Sequence, residues 1–318
     1  MKVLANDGIS KSGIKTLEAA DFEVITVHVA QEQLLNYINE HKITVLLVRS
    51  ATTVRKDIID NCPSLKIIGR GGVGMDNIDV EYARENGLKV INTPAASSAS
   101  VAELVFAHLF GGVRYLFDSN RNMPLDGDTK FKQLKKNYSA GRELRGKTLG
   151  IIGFGRIGRE VAKIALGCGM RVIASDQKVG EEAVTLNFYD GQEVVLKIKK
   201  EPVSELLKHS DFISLHVPSQ SGHLIGEAEI TRMKDGVGII NAARGGVIDE
   251  KALLEGLDSG KISFAALDTF INEPTPSVKI LMNEKITMSP HIGAATLEAQ
   301  NRIGTELAEQ IINILGKA

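Results

Sequence analysis

Short apolar runs alternate with amphipathic helical patterns along the first hundred residues. The runs "MKVLA", "FEVITV", "TVLLVRS", "LKIIGR" and "LKVINTP" contain few polar positions, which is typical of strands buried on both faces of a parallel sheet. Between these runs, "GIKTLEAA" and "EQLLNYINEH" carry apolar residues at the spacing of a helix. The pattern therefore predicts a first α/β lobe.

A second series of the same kind begins near residue 147. Its apolar runs, again separated by helical patterns, are "KTLGIIG", "MRVIASD", "DFISLHV", "VGIINAA", "FAALDTF" and "KITMSP". Because a crossover helix returns the chain to the same sheet, two such series predict two Rossmann-like, doubly wound parallel-sheet lobes. The polar segment 175–203 has weak periodicity and suggests no function; we expect it to decorate the second lobe.

The joint between the two series, "NTPAASSASVAELVFAHLFGGVR", combines small residues with a strongly apolar helical pattern. Ser100 and Glu103 have the spacing of a capping box, which predicts that Ser100 caps the helix that follows it. A helix that is apolar on nearly every face must be buried between domains or against another subunit, and we favour the subunit contact. The last predicted helix, about 297–315, is expected to return to the first lobe and make it discontinuous.

Composition narrows the class of ligand. The chain has 318 residues and a formal net charge of −1, so bulk charge predicts neither nucleic-acid nor membrane binding. Cys62 and Cys168 match no metal or redox spacing and suit a reducing compartment. "MKVLANDGIS" lacks the apolar core of a signal peptide, and no stretch reaches the roughly 18 apolar residues of a membrane span. We therefore expect a cytoplasmic, metal-free protein that recognises a small molecule through local charges.

The pattern G-x-G-x-x-G occurs twice, and its context differs between the two matches. "GFGRIG", with Gly153, Gly155 and Gly158, follows the strand "KTLGII" and opens the helix "RIGREVAKIAL", so its amides can face a pyrophosphate. Asp176 ends the next strand, eighteen residues after the last glycine, where a carboxylate can bind both adenosine ribose hydroxyls and repel a 2′-phosphate. This context predicts NAD rather than NADP, although Lys178 close by weakens that preference; a structural turn with a chance aspartate is the alternative.

The other match is "GRGGVG", with Gly69, Gly71 and Gly74. It also follows a strand, but the position that corresponds to Asp176 is Asn92, and "MDNID" delays the following helix. Free amides on a glycine-rich loop suit a carboxylate or a phosphate. We interpret this segment as a substrate loop and not as a second cofactor site.

A nicotinamide cofactor implies hydride transfer, and hydride transfer from an alcohol requires a base for the hydroxyl proton. Histidine suits this task in both reaction directions. His216 and His291 follow apolar strands, at the sheet edge where doubly wound folds bind ligands, and His291 in "MSPHIGAAT" has the more constrained backbone. We predict that His291 is the acid–base group, that His108 is a satisfied buried imidazole, and that surface positions are held by His28, His41 and His209.

Two charged residues follow the preceding strands. Glu273 in "FINEP" could meet His291 at a neighbouring strand end, where a carboxylate fixes the imidazole tautomer and stabilises imidazolium; a solvated loop acid is the alternative. Arg244 in "NAARGGVIDE" could bind an α-carboxylate through a bidentate pair, or it could cap a neighbouring carbonyl. Arg, Glu and His thus fall at the ends of three successive predicted strands.

These segments resemble the D-isomer-specific 2-hydroxyacid dehydrogenases, and the resemblance runs nearly end to end. Its most specific parts are "GKTLGIIGFGRIGREVA", "NAARGGVIDEKAL", "AALDTFINEP" and "SPHIGAATLEAQ". The resemblance implies that Arg244, Glu273 and His291 form a catalytic triad. It also implies cofactor contacts, which fall on Gly153, Gly155, Arg156, Ile157, Gly158, Asp176, His216, Pro218, Ala242, Asp268 and Gly293.

The resemblance further implies a domain organisation. An NAD-binding domain over 98–292 would be inserted into a discontinuous substrate-binding domain formed by 1–97 and 293–318. A homodimer would form around the cofactor lobes, in agreement with the apolar joint helix.

Within the family, the first lobe is most similar to phosphoglycerate dehydrogenases, through "LLVRSATTV" and "IIGRGGVGMDNIDVEYARENGLKVINTP". The implied substrate contacts are Arg49, Ser50, Arg70, Gly71, Gly72, Val73 and Gly74. Two arginines after strands of a nearly neutral protein suit a phosphate. Lys135 and Lys136 stand where several relatives place an arginine of the facing subunit; lysine neutralises phosphate but cannot fork onto it, and a solvated basic helix face is the alternative.

The activity that this resemblance implies is NAD-dependent oxidation of D-3-phosphoglycerate to 3-phosphohydroxypyruvate, the first step of serine biosynthesis. The chain ends at Ala318, soon after the last predicted helix, so we expect the short form without a regulatory domain. One alternative is turnover of glyoxylate, hydroxypyruvate or another small 2-keto acid by the same residues. The other is an NAD-sensing, corepressor-like binding protein, against which the intact triad argues.

Overall fold

The computed structural model describes residues 1–219 and 221–317 and contains two compact α/β units. The first unit comprises Met1–Ser100 and Ala294–Ala318, and the second comprises Val101–Gly293. The strands are β1 (Lys2–Ala5), β2 (Glu23–Ile25), β3 (Val45–Val48), β4 (Ile67–Arg70), β5 (Lys89–Asn92), β6 (Thr148–Ile152), β7 (Arg171–Ser175), β8 (Gly180–Asn187), β9 (Glu193–Lys200), β10 (Phe212–Leu215), β11 (Val237–Asn241), β12 (Ile262–Leu267) and β13 (Ile286–Met288). The helices are α1 (Lys11–Glu18), α2 (Gln31–His41), α3 (Lys56–Asn61), α4 (Val80–Glu85), α5 (Ser98–Val113), α6 (Leu116–Asp126), α7 (Phe131–Asn137), α8 (Arg156–Gly167), α9 (Val203–His209), α10 (Glu227–Arg232), α11 (Glu250–Asp258), α12 (Val278–Leu281) and α13 (Leu297–Leu315).

The first unit is built on a parallel sheet of five strands in the order β2-β1-β3-β4-β5. All five strands that the apolar runs predict are confirmed. The final helix α13 packs on this unit through a buried stripe of Ile303, Leu307 and Ile311, in one cluster with Leu17 of α1. Thr296 caps this helix, because its hydroxyl accepts the Ala299 N–H at 3.1 Å.

The second unit is built on an eight-stranded sheet in the order β13-β12-β11-β10-β6-β7-β9-β8. Its neighbouring strands are parallel, except for the antiparallel pair β8 and β9. The six strands predicted for this lobe are confirmed. Since β7 lies on one side of β6 and β10 lies on the other, the strand order reverses between β6 and β10, and such a switch point is where open α/β sheets bind ligands.

The hairpin of β8 and β9 was not predicted, since the segment 175–203 has weak periodicity. Its two strands pair over eight residues, and Lys200 pairs with Ala174 to join the hairpin to β7. Of the side chains in these two strands, Val184 and Ile198 are buried, and they lie in the cluster beneath α8. One buried position in each strand is too few to produce the alternation by which a strand is recognised.

Helix α5 begins at Ser98, so the predicted cap at Ser100 is wrong. Ser100 lies inside the helix, and its hydroxyl is 2.8 Å from the hydroxyl of Thr296, which makes it a packing contact and not a cap. The buried face of α5 includes Phe106 and Leu109, whereas Phe110 remains 46% exposed. The expected burial on nearly every face is therefore incomplete within the single chain.

None of the side chains of α6, all of which the structure describes, is buried. In the described part of the chain, no single helix is long and apolar enough to cross a membrane. Helices α5 and α6 meet the length and hydropathy criteria only as a pair, and this pair is bent by 58°. Among the same residues, no group of three or more His, Cys, Asp or Glu side chains is placed to hold a metal ion.

Candidate active site

The glycine loop between β6 and α8 is shaped by contacts that exclude side chains. Gly153 has φ 93°, and a Cβ on it would overlap the carbonyl of His216. A Cβ on Gly158 would overlap the carbonyl oxygen of Gly153, whereas a Cβ on Gly155 would meet nothing within 4 Å. Gly155 is also the N-cap of α8, so the open space lies at the N-terminus of a twelve-residue helix that begins with Arg156 and Ile157. A helix N-terminus with free backbone amides and no side chain above it suits a pyrophosphate.

Asp176 follows β7 and stands beside this loop. Its Oδ2 accepts the Phe154 N–H at 2.8 Å, and its Oδ1 accepts the Gln177 N–H at 2.7 Å. Because each carboxylate oxygen has two lone pairs and the residue is exposed, the group can accept further bonds from ribose hydroxyls. The position agrees with the one that the spacing predicts.

His216 follows β10 at the switch point of the sheet. Its Nε2 lies 2.8 Å from the Ser214 hydroxyl, and its buried Nδ1 has no partner among the described residues. Burial lowers the pKa of His216 to about 3, so the ring is neutral near pH 7. An orphaned polar atom beside a loop from which side chains are excluded fits a bound dinucleotide. Pro218 is exposed two residues further on, and Ala242 is half-buried after β11.

Arg244, Glu273 and His291 follow β11, β12 and β13, and they line one pocket of about 410 Å³. The Nδ1 of His291 donates to Oε2 of Glu273 at 2.8 Å, and Oε1 of Glu273 accepts the Phe270 N–H at 2.9 Å. The two side chains are 40% and 35% exposed. Because Nδ1 carries the donated proton, Nε2 of His291 is the lone-pair nitrogen that can act as a base.

Arg244 is positioned by the turn after β11. The Asn241 amide donates to the Arg244 carbonyl at 2.9 Å, and a Cβ on Gly245 would overlap the carbonyl of Phe270. Nη1 of Arg244 donates to the Ala243 carbonyl at 2.7 Å, which is the kind of contact that the alternative interpretation of this arginine predicts. A guanidinium has five donors in a planar fork, the geometry that matches a carboxylate, and Arg244 presents this group to the pocket.

Asp268 is a buried carboxylate that holds the segment after His291. Its Oδ1 accepts the Ile292 N–H and its Oδ2 accepts the Gly293 N–H, both at 2.8 Å, and Oδ1 also accepts the Ser289 hydroxyl at 2.6 Å. The family resemblance suggests Asp268 as a cofactor contact. The hydrogen bonds that Asp268 accepts from the segment around His291 cannot be recognised in the sequence, because the bonded residues are 21 or more positions apart.

In the first unit, the segments proposed for substrate follow the adjacent strands β3 and β4. Arg49 is half-buried and Ser50 is exposed; a Cβ on Gly71 would lie 3.6 Å from Cγ of Arg49. Arg70 donates to the Gly71 carbonyl at 3.3 Å and lies against Gly72, where a Cβ would overlap its guanidinium. The loop continues through exposed Val73 and half-buried Gly74.

Two residues that the sequence did not single out position these sites. Asp7 follows β1, and its Oδ2 accepts the Arg49 N–H at 2.6 Å, so it anchors the turn that carries Arg49. His223 lines the pocket of the second unit, with Nδ1 2.7 Å from the Gly246 carbonyl. Lys135 lies on the exposed face of α7 and does not line that pocket.

Comparison with known proteins identifies the family of this chain. The family model described as D-isomer specific 2-hydroxyacid dehydrogenase, NAD binding domain, matches residues 106–293. A hydroxypyruvate reductase of Thermotoga maritima is 44% identical over 99% of this chain and 98% of its own length. A D-3-phosphoglycerate dehydrogenase of Methanocaldococcus jannaschii is 42% identical over 99% of this chain, which spans 57% of that relative.

Solved structures of similar fold cover nearly the whole chain. The TT0316 protein of Thermus thermophilus superposes with a TM-score of 0.85 at 28% identity, covering 99% of this chain and 97% of the other. A glyoxylate reductase of Paecilomyes thermophila superposes with a TM-score of 0.83 at 29% identity, covering 99% and 95%. The chain therefore belongs to the D-isomer specific 2-hydroxyacid dehydrogenase family and is an NAD-dependent enzyme of that family.

Proposed function

We propose that this enzyme oxidises D-3-phosphoglycerate to 3-phosphohydroxypyruvate with NAD. The observation that carries the chemistry is the 2.8 Å hydrogen bond between His291 and Glu273 in the pocket that Arg244 also lines. Such an oriented imidazole can remove a hydroxyl proton, and an adjacent arginine can bind the carboxylate of a 2-hydroxy acid.

The three residues of this group have different tasks in the proposed reaction. Nε2 of His291 accepts the proton of the C2 hydroxyl, and the resulting imidazolium is stabilised by its Nδ1–H bond to Glu273. Arg244 binds the substrate carboxylate and polarises the carbonyl that forms at C2. NAD, when bound over the Gly155 loop, supplies the hydride acceptor. In reduction the same imidazolium returns the proton to the carbonyl oxygen.

Recognition of the phosphate is assigned to the first unit. Arg49 follows β3, Arg70 is the last residue of the adjacent strand β4, and both are half-buried. Two guanidinium groups neutralise a phosphate dianion and can bind it bidentately, whereas a small unphosphorylated acid would leave one of them unused.

A second candidate is reduction of hydroxypyruvate, which lacks the phosphate. It is favoured by the Thermotoga maritima relative, a hydroxypyruvate reductase that this chain matches over 98% of its length. The two candidates share His291, Glu273 and Arg244 and differ in what Arg49 and Arg70 bind.

The decisive experiment compares substrates that differ by one phosphate. With NADH followed by absorbance, kcat/KM is measured for 3-phosphohydroxypyruvate, hydroxypyruvate and glyoxylate, and in the other direction for D-3-phosphoglycerate and D-glycerate. A higher kcat/KM for the phosphorylated partner in each direction supports the proposal. Preference for hydroxypyruvate assigns the second candidate, and no turnover of any of these acids would leave an NAD-binding sensor.

The assignment of Arg49 can be tested separately. Arg49→Ala should raise KM for D-3-phosphoglycerate at least about tenfold more than KM for D-glycerate, since a charge-assisted bond to phosphate contributes about 1.5–3 kcal/mol. Arg84→Ala is the matched control, because Arg84 lies exposed on α4 and pairs with Glu81 at 3.2 Å. Equal effects on both substrates would remove the phosphate role from Arg49.

The proposal includes a cytoplasmic homodimer. Support comes from the exposed apolar side chains near the joint of the second unit, which are Phe110, Tyr115, Leu116, Met123, Leu125 and Phe131. Exposed apolar surface of this extent is typical of a subunit interface. Lys135 lies on α7 and is proposed to neutralise the substrate phosphate in the facing subunit.

A further inference from the structure

His108 is a buried histidine that the proposed reaction does not use. It lies on α5 and is 7% exposed. Its Nε2 is 2.8 Å from the Ser289 hydroxyl and its Nδ1 is 3.0 Å from the Thr287 hydroxyl. Both partners belong to the strand end that leads into His291, although His108 itself is 181 residues away from Ser289 in the chain.

The direction of these hydrogen bonds follows from their partners. The Ser289 hydroxyl has one proton, and it is donated to Oδ1 of Asp268 at 2.6 Å. His108 must therefore donate its Nε2–H to the Ser289 oxygen, which leaves Nδ1 to accept the Thr287 hydroxyl proton in the neutral ring. Burial lowers the pKa of His108, against a smaller opposing effect of the Asp268 carboxylate, in agreement with a neutral ring.

The far end of this chain of hydrogen bonds is the backbone beside His291. Asp268 is 2% exposed and accepts the N–H groups of Ile292 and Gly293 at 2.8 Å each. His291 itself has φ 54°, a left-handed conformation that is costly for a residue with a side chain. The loop therefore needs an external anchor to keep the imidazole aimed, and Asp268 is that anchor.

We propose that His108 is a positioning residue for the acid–base histidine. It acts through Ser289 and Asp268. Because His108 donates to the serine oxygen, the serine hydroxyl is oriented to donate to Asp268. This hydrogen bond holds the carboxylate in the position where it accepts the N–H groups of Ile292 and Gly293. His108 touches neither substrate nor cofactor in this role. The inference rests on the proposed function in one respect, which is that His291 is the acid–base group whose orientation His108 maintains.

Amide hydrogen exchange on the enzyme without substrate tests the anchor directly. In His108→Met, which keeps the bulk but has no N–H to donate, exchange at Ile292 and Gly293 should rise at least about tenfold. In His108→Gln, whose side-chain amide offers both a donor and an acceptor, protection should be largely restored. Ser289→Ala interrupts the same path one link later without changing α5, and it should behave like His108→Met even if that variant folds poorly.

Thr287→Val is the matched control, since it removes the other hydrogen bond of His108 and leaves the donation to Ser289 in place. This variant should lower Tm while exchange at Ile292 and Gly293 stays within about twofold of wild type. If it exposes these amides as much as His108→Met does, His108 acts only by packing and the proposal is overturned. Unchanged protection in both His108→Met and Ser289→Ala also overturns it.

Kinetics provide the second readout. His108→Met should lower kcat about tenfold with KM for NADH within about twofold, because a misaimed base slows the chemical step more than it weakens binding. His108→Gln should recover most of kcat. Failure of the wild type to turn over any 2-hydroxy or 2-keto acid would remove the proposed function, but the exchange experiment would still decide whether His108 anchors the loop.

Discussion

His291 combines an unfavourable backbone conformation with a well-defined side-chain partner. Its φ of 54° is stabilised by the two amide bonds that Asp268 accepts just after it, and its Nδ1 is held by Glu273. Strain of this kind, about 1–3 kcal/mol, persists only where surrounding contacts over-determine the conformation. At the residue scale, the predicted pairing of Glu273 and His291 is observed, whereas the anchor by Asp268 could not be predicted because no local pattern links the two segments.

Replacement of the imidazole tests its chemistry. His291→Asn should reduce kcat by about 10²–10⁴, the usual contribution of general acid–base catalysis, while NADH affinity measured by fluorescence titration changes little. Glu273→Gln, which keeps the shape but loses the charge, should cause a smaller loss of kcat. Activity of His291→Asn within a few-fold of wild type would mean that another group carries the proton.

The low pKa of His216 predicts a pH dependence of stability. Its folded-state pKa of about 3 lies below the ordinary value of 6.5, so the unfolded chain binds a proton in this window and the folded chain does not. Stability should therefore fall as pH drops below 6.5, and this group contributes a slope of at most about 1.4 kcal/mol per pH unit.

Chemical denaturation between pH 5 and pH 8 measures this slope. His216→Asn should flatten it, because the variant has no ring to protonate on unfolding. His209→Asn, at an exposed position on α9, is the control and should leave the slope as it is in the wild type. An identical slope in wild type and His216→Asn would contradict the assignment.

At the element scale, the glycine loop and helix α8 illustrate why context decides between two identical patterns. The match at Gly153 follows β6 and leads to Gly155, which caps a twelve-residue helix. The other match begins inside β4 at Gly69, and its loop of Gly71 and Gly72 passes close to Arg49 and Arg70. The sequence predicted this difference from the helix that follows directly. It did not reveal the β8–β9 hairpin, because those strands bury one side chain each.

Two glycines of the same helix provide a matched test of the loop. Gly158→Ala places a Cβ against the carbonyl oxygen of Gly153 and should abolish most NADH binding by displacing the loop. Gly167→Ala, where a Cβ meets nothing within 4 Å, should bind NADH normally and gain up to about 1 kcal/mol of stability from reduced backbone entropy. NADH titration and thermal melts measure both, and tight binding by Gly158→Ala would show that the close approach is not required.

At the scale of the whole molecule, the second unit is a continuous segment and the first is discontinuous. The chain passes between them at Ser100/Val101 and at Gly293/Ala294, beside the predicted boundaries at 97/98 and 292/293. The return of α13 to the first unit follows from its buried stripe, which includes Ile303, Leu307 and Ile311 and fills one face of the first sheet.

The proposed dimer is testable through its exposed apolar side chains. Leu116 and Leu125 are 62% and 76% exposed, and the double change Leu116→Glu with Leu125→Glu should convert a dimer into a monomer in sedimentation velocity runs. Tyr189→Glu, at the fully exposed tip of the β8–β9 hairpin, is the control and should remain dimeric. A monomeric wild type at micromolar concentration would remove the dimer, and the proposed role of Lys135 in a facing subunit with it.

The sequence by itself predicted the class of fold, eleven of the thirteen strands that the described residues form, the cofactor loop and the three residues of the candidate catalytic group. These features are local, since a buried strand, a glycine turn and a polar residue at a strand end can each be recognised from a few neighbouring positions of the sequence. The tertiary structure alone decided how distant segments meet. Asp7 beneath Arg49, Asp268 beneath the His291 loop and His108 behind Ser289 join parts of the chain 21 to 181 residues apart, and hydrogen bonds over such separations leave no pattern in one sequence.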